Sequence, residues 1–212
     1  MSLKKVEPQA IVIATGNAGK VQEIRAIFGD SAVSFFTLKD INFDGEIAET
    51  ADTFRGNAKI KAEAVAEFVF SRYKNYWVLA DDSGLEVDAL DGRPGIYSAR
   101  YAGENATNID RYTKLLSEMQ GQTNRSARFV CVLCLICPAL QANMPPETLF
   151  FEGECRGSIL TEPRGNGGFG YDPVFLPNGY SQGFGEMNEV QKNTLSHRGR
   201  AIKALLEIFS KH

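Results

Sequence analysis

A chain of 212 residues, 43% apolar and 23% charged, falls in the ordinary range for a soluble globular protein and can bury a substantial core. Its formal charge of -3 weighs against a general nucleic-acid binder, which carries a basic excess. A small anionic ligand stays compatible, because a few local lysines outweigh a mildly acidic surface. The opening MSLKKVEPQA lacks the apolar centre of a secretory leader. The longest apolar run, FVCVLCLICPAL, falls short of the roughly 20 residues that span a bilayer. A cytoplasmic protein with no membrane or nucleic-acid partner is therefore expected.

In chain order, AIVIAT (10–15) reads as a buried strand, and GKVQEIRAIF (19–28) as a helix whose Val21, Ile24, Ile27 and Phe28 face a core. A loop with a short strand leads to about residue 50. TFRGNAKIKAEAVAEFVF (53–70) reads as a longer helix, and YWVLADDSG (76–84) as a strand breaking into a turn. Gly92, Pro94 and Gly95 mark a loop. Residues 105–119 form a helix, and 126–137 and 148–157 are paired strands with the prolines at 145–146 between them. The glycine-rich RGNGGFGYDP (164–173) follows, then a last helix from about Ser196 to Phe209. Helices and strands alternate early and strands cluster later, which predicts an α/β fold on a mixed sheet with no separable linker. Cys131, Cys134 and Cys137 have a metal-like spacing, but on a strand Cys134 faces away from the other two, so the three read as buried hydrophobes.

Four clusters carry the polar chemistry. In TGNAGK, residues 15–20, a glycine turn opens a helix whose first N–H groups are unpaired, a setting for anions. The spacing is not that of a P-loop, since Gly16 and Gly19 are too close together and Val21 follows Lys20. A plain turn with Asn17 as helix cap explains the stretch equally well. Asp81 and Asp82 end an apolar run beside Gly84. Adjacent carboxylates on a strand point opposite ways, so one of them could serve Mg²⁺ while solvated turn aspartates are the alternative. On the 53–70 helix, Asn57 and Lys61 share a face, whereas Lys59 lies elsewhere with Glu63 as a surface pair. Glu46 and Glu49, just ahead of that helix, are possible further ligands. In GGFGYDP, backbone can approach a ligand closely, with Phe169 and Tyr171 as stacking surfaces and Asp172 as an acceptor. In KNTLSHRG, Ser196 is a plausible cap, which puts His197 and Arg198 in a first turn where basic residues oppose the helix dipole.

Taken together, TGNAGK, ADDSGLEVDALDGRPGIYSARYAG, GGFGYDP and SHRG occur in an order that resembles the non-canonical purine NTP pyrophosphatases, the inosine triphosphate pyrophosphatase-like family, over residues 11 to about 208. The resemblance implies an elongated mixed α/β sheet with two lobes and a central substrate cleft, in a homodimer. It implies Mg²⁺-dependent hydrolysis of ITP, dITP and XTP to the monophosphate and pyrophosphate, which cleanses the nucleotide pool. By motif, Thr15, Gly16, Asn17, Ala18, Gly19, Lys20 and Lys61 would bind the triphosphate. Glu49 and Asp82 would hold the metal. Asp82 would be the catalytic acceptor, more plausibly orienting water than acting as a strong base, and Ser83 would touch substrate. Phe169, Gly170, Tyr171, Asp172, Lys192, His197 and Arg198 would form the base and sugar side. A Maf-like nucleotide pyrophosphatase with another base preference, an inactive nucleotide-binding regulator and a general phosphatase are the alternatives.

Overall fold

The structure, a computed structural model, describes residues 8–29, 33–139 and 144–209. Its strands are Ala10–Ile13 (β1), Ser34–Thr37 (β2), Tyr76–Val87 (β3), Ser126–Cys137 (β4), Glu147–Ile159 (β5) and Phe175–Pro177 (β6). Its α-helices are Ala18–Phe28 (α1), Phe54–Phe70 (α2), Asn108–Glu118 (α3), Glu189–Leu195 (α4) and His197–Leu206 (α5). Among the described residues the strands form one sheet in the order β2-β1-β3-β4-β5-β6. β1 runs parallel to β2 and β3, with Ala10 opposite Ser34 and Tyr76. β5 and β6 are antiparallel, with Gly157 opposite Pro177. The mixed α/β architecture expected from the pattern of elements is the one observed.

The chain divides into two compact units. One takes the described parts of Met1–Asp82, Val132–Glu152 and Ala201–His212, and the other takes Ser83–Cys131 and Gly153–Arg200. In the first unit, all four residues of β1 are buried, as a parallel strand covered on both faces must be. Phe54, Asn57, Ala58, Lys61, Ala62, Val65, Ala66 and Val69 form the buried stripe of α2, at the three-and-four spacing of an amphipathic helix. That stripe is apolar except for Asn57 and Lys61 near its N-terminal end.

The second unit has its own core, in which Leu85, Val87, Leu115, Met119, Phe129, Ile159, Phe175 and Phe184 pack together. Phe129 meets Phe175 edge-on with ring centres 4.7 Å apart, and Phe175 lies 5.1 Å from Phe184. α3 begins with a capping box, Thr107 and Asp110 each bonding the other's backbone, which stabilises a helix start by satisfying two orphan donors.

One expectation needs correction. The stretch from Asp81 to Gly84 is not a turn: β3 continues unbroken to Val87, with Asp81 and Asp82 0% and 5% exposed. Turn propensity loses here because each carboxylate finds a lysine partner, so the strand can carry them inside. The region before the last helix is itself helical, since α4 starts at a capping box of Asn188 and Gln191. Lys192 lies on α4, ahead of the last helix as expected. Ser196 does cap α5, accepting from the Gly199 N–H at 3.0 Å. Cys131, Cys134 and Cys137 are all buried in β4, and burial pushes the Cys134 thiol up to about 12, as suits inert core thiols. Of the loop expected over 138–147, residues 140–143 lie outside the described residues.

Candidate active site

In the first unit the site is built from charge pairs beyond the end of β1 and midway along β3. After β1 the chain turns through Thr15, Gly16 and Asn17 into α1. Asn17 caps the helix, its side chain accepting from the Lys20 N–H at 3.2 Å, while its own N–H donates to Thr15 Oγ1 at 3.2 Å. The cap leaves the turn exposed at Gly16 to Ala18, with the positive end of α1 beneath it. Lys20 Nζ lies 2.6 Å from Asp81 Oδ1. On α2, Lys61 Nζ donates to Asp82 Oδ1 at 2.7 Å and to Glu49 Oε1 at 3.1 Å. Asp81 and Asp82 thus point to different lysines, as the alternation of a strand requires.

Burial shapes the chemistry of this group. It pushes the Asp82 carboxyl above its ordinary value, with Lys61 and Lys20 opposing the rise and Glu49 adding to it. Burial also works against the Lys61 ammonium, yet the nearby Asp82 and Glu49 carboxylates outweigh it and hold Lys61 above its usual value. Asp82 Oδ2 is buried and accepts no hydrogen bond among the described residues. An unpaired buried carboxylate oxygen is costly, and marks a place where a ligand donor or cation would be welcome. Among the described residues no group of three or more His, Cys, Asp or Glu side chains is arranged to hold a metal ion. Glu49 and Asp82 supply two carboxylates, and any further ligands would have to come from substrate or water. Glu46 is exposed.

In the second unit the polar side chains lie against aromatic rings. Lys192 Nζ pairs with Asp172 Oδ2, and sits 5.0 Å from the centre of the Phe169 ring. The Arg198 guanidinium lies 5.7 Å from the same ring, and donates to Ser83 Oγ at 3.3 Å. His197 stacks on Phe129 at 4.7 Å with the rings 10° apart. Arg198 is 1% exposed, which is rare for arginine without firm partners. The glycine loop is folded tightly by Asp172, whose Oδ2 also accepts from the Phe169 N–H at 2.7 Å. At Gly168 φ is +72°, and a Cβ there would come within 2.1 Å of Asp172 Oδ2, so only glycine fits.

The Ham1 family pattern matches residues 11–208. The chain belongs to the Ham1 family. A dITP/XTP pyrophosphatase of Halalkalibacterium halodurans is 48% identical over 196 residues, covering 92% of this chain and 95% of that protein. One from Chlorobaculum tepidum is 45% identical over 202 residues, covering 92% and 89%. Among solved structures, the Staphylococcus aureus Ham1 protein is similar at a TM-score of 0.79 and 40% identity, over 94% of this chain and 97% of that one. A HAM1 protein from Coxiella burnetii matches at 0.80 and 36%, over 96% and 99%.

Within this Ham1 fold the expected residues fall into the two groups just described. Lys20, Glu49, Lys61 and Asp82 gather in one unit, and Ser83, Phe169, Asp172, Lys192, His197 and Arg198 in the other. Ala18 and Gly19 are the first residues of α1. Gly170 adopts φ +64° between Phe169 and Tyr171. Tyr171 differs from expectation as a stacking surface. It is 3% exposed, it packs in the core of the second unit, and its hydroxyl donates to the Ser98 carbonyl at 2.9 Å. Its ring braces the loop from below. Two supporting residues were not foreseen. Ser98 accepts from the Leu85 N–H and donates to the Gly95 carbonyl, tying the 95–100 turn to β3. Asn57 is fully buried and holds the Ala51 N–H. Only its shared helix face with Lys61 pointed to it.

Proposed function

We propose that this Ham1-family chain hydrolyses the non-canonical purine nucleoside triphosphates ITP, dITP and XTP to the monophosphate and pyrophosphate, using Mg²⁺ and so cleansing the nucleotide pool. The carrying observation is the pairing of lysines with carboxylates, Lys20 with Asp81 and Lys61 with Glu49 and Asp82. The dITP/XTP pyrophosphatase names of the relatives at 45% and 48% identity support the same reading. No helix among the described residues is long and apolar enough to cross a membrane. The reading includes a homodimer in the cytoplasm acting on small nucleotides with no nucleic-acid partner; sizing the purified protein at assay concentration tests the dimer.

The residues suit a divalent ion. Glu49 and Asp82 already share one cation, the Lys61 ammonium, and Asp82 Oδ2 is a buried acceptor with no bond made to it. Two carboxylates completed by substrate phosphates match the preference of Mg²⁺ for a few hard oxygen ligands. When bound, the ion would neutralise charge on the phosphate oxygens.

The chain's own side chains divide the remaining work. Lys20, at the start of α1, and Lys61 meet the negative charge that grows on the departing pyrophosphate. Water oxygen bonds to the α-phosphorus as the bond to the bridging oxygen breaks, and that bond's electron pair leaves with pyrophosphate. Asp82 accepts a hydrogen bond from the attacking water and orients it, and the water gives up a proton to solvent as its oxygen bonds to phosphorus. On the base side, Phe169 offers the stacking face, and Arg198 with His197 supplies donors. A 6-oxo purine accepts those bonds, whereas the amino group of adenine presents a donor to a donor, a mismatch of about 1–3 kcal/mol per unpaired group.

The test is Mg²⁺-dependent turnover of ITP, dITP and XTP beside GTP and ATP, with the released phosphate species identified. Pyrophosphate from the first three, with ATP far behind, is expected. Equal turnover of ATP, or orthophosphate as first product, would overturn the proposal.

A further inference from the structure

We propose that Asn57 is a positioning residue that holds Glu49 in reach of Lys61 and Asp82, and thereby sets the affinity of the divalent metal. The proposal rests on the function proposed above. Asn57 is 0% exposed, and lies one helical turn before Lys61 on the buried stripe of α2. Its Oδ1 accepts from the Ala51 N–H at 3.0 Å, so the segment carrying Glu49, two residues upstream, is tied down onto the helix. The adjacent Gly56 makes that contact possible: a Cβ there would lie 2.5 Å from the Cβ of Ala51 and 3.0 Å from Thr53 Oγ1. Thr53 closes the same turn by accepting from the Gly56 N–H at 3.1 Å. An amide side chain in an apolar stripe costs free energy unless it bonds, and half of this one is unused, since Asn57 Nδ2 has no partner among the described residues. A helix built only for packing would carry an aliphatic residue here. The polar choice is explained by what Oδ1 fixes: the path of 49–53, and so the position of one of two carboxylates on a single cation.

Groups that orient a metal ligand typically change metal affinity by about 10–100-fold when removed. Asn57→Ala should therefore raise the Mg²⁺ concentration for half-maximal dITP turnover by about tenfold or more, with a much smaller change in KM at saturating metal. Gly56→Ala should shift the metal requirement the same way, because it pushes Ala51 off the helix while leaving Asn57 intact. A second readout uses no turnover: Mn²⁺ bound in the presence of a non-hydrolysable purine triphosphate, followed by its paramagnetic resonance, should weaken in parallel. In a Glu49→Gln background, Asn57→Ala should add little, since both act through one carboxylate. Lys59→Ala, on the exposed face, serves as the unaffected control. An Asn57→Ala protein with wild-type metal affinity, or one whose effect adds in full to that of Glu49→Gln, would overturn the proposal. If the wild-type chain needs no divalent metal, the proposed function fails first; if it does and the variants do not shift that need, only the role of Asn57 fails.

Discussion

The two groups of candidate residues, one in each unit, hold their charges in different ways. In the first unit Lys20 and Lys61 point at carboxylates, and the surrounding strand and helix are apolar. In the second unit Lys192 is likewise paired with a carboxylate, Asp172, but Arg198 lies against the Phe169 ring and His197 lies flat on Phe129. Point charges paired with carboxylates can exchange partners when a triphosphate and a metal arrive, and they read charge without regard to the base. A guanidinium and an imidazole fixed by aromatic faces present donors in set directions, which is what discrimination of a purine edge requires. On the proposed function, phosphate handling and base choice would fall to different chemistry, and variants of the two groups should fail differently.

Asp82→Asn should have the largest effect. Turnover should fall by about 10²–10⁴-fold with an unchanged circular dichroism spectrum, and full activity in that variant would remove Asp82 from the mechanism. Lys61→Met comes next. Breaking a buried ion pair leaves Glu49 and Asp82 facing each other without their cation, at a cost of about 3–5 kcal/mol. The melting temperature should fall, and Mg²⁺ should restore part of the loss even without nucleotide, because the two carboxylates would then take the ion in place of the ammonium. Lys59→Met, in an exposed pair with Glu63, should change neither. On the base side, Arg198→Ala should narrow the preference for ITP over ATP by about 10–100-fold, the equivalent of 1–3 kcal/mol, by lowering kcat/KM for ITP much more than for ATP. A loss shared equally by both nucleotides would erase the division between the two groups.

The smallest effect concerns stability against pH at α3. Hydrogen bonds from Lys114 and Tyr101 hold the Glu118 carboxyl below its ordinary value of 4.5. A depressed carboxylate contributes stability above its unfolded value and loses it as pH falls through the folded one. Glu118→Gln should therefore cost under about 1 kcal/mol at neutral pH, with the difference from wild type shrinking below pH 4.5. Chemical denaturation at both pH values checks this, and activity should not change.

Much of this was legible from sequence because local rules and tertiary structure agree. Val21, Ile24, Ile27 and Phe28 mark α1, and the period of 53–70 marks α2 and separates Lys61 from Lys59. Other features were hidden where long-range partners overrule local preference. Asp81-Asp82-Ser83-Gly84 has turn composition, and lysines from α1 and α2 let its two aspartates sit buried in a strand. The Tyr171 ring reads as a stacking surface until its hydroxyl is seen to find the Ser98 carbonyl, 73 positions away. Asn57 gives no motif, since its role depends on a backbone amide six residues upstream. The capping box at Asn188 and Gln191 was present in the sequence and would have announced α4.

The most direct measurement is turnover of dITP in heavy-oxygen water, with mass analysis of both products. Attack on the α-phosphorus, with Asp82 orienting the water and Lys20 and Lys61 meeting the departing charge, predicts one heavy oxygen in the monophosphate and none in the pyrophosphate. Heavy oxygen in the pyrophosphate, or in released orthophosphate, would contradict it.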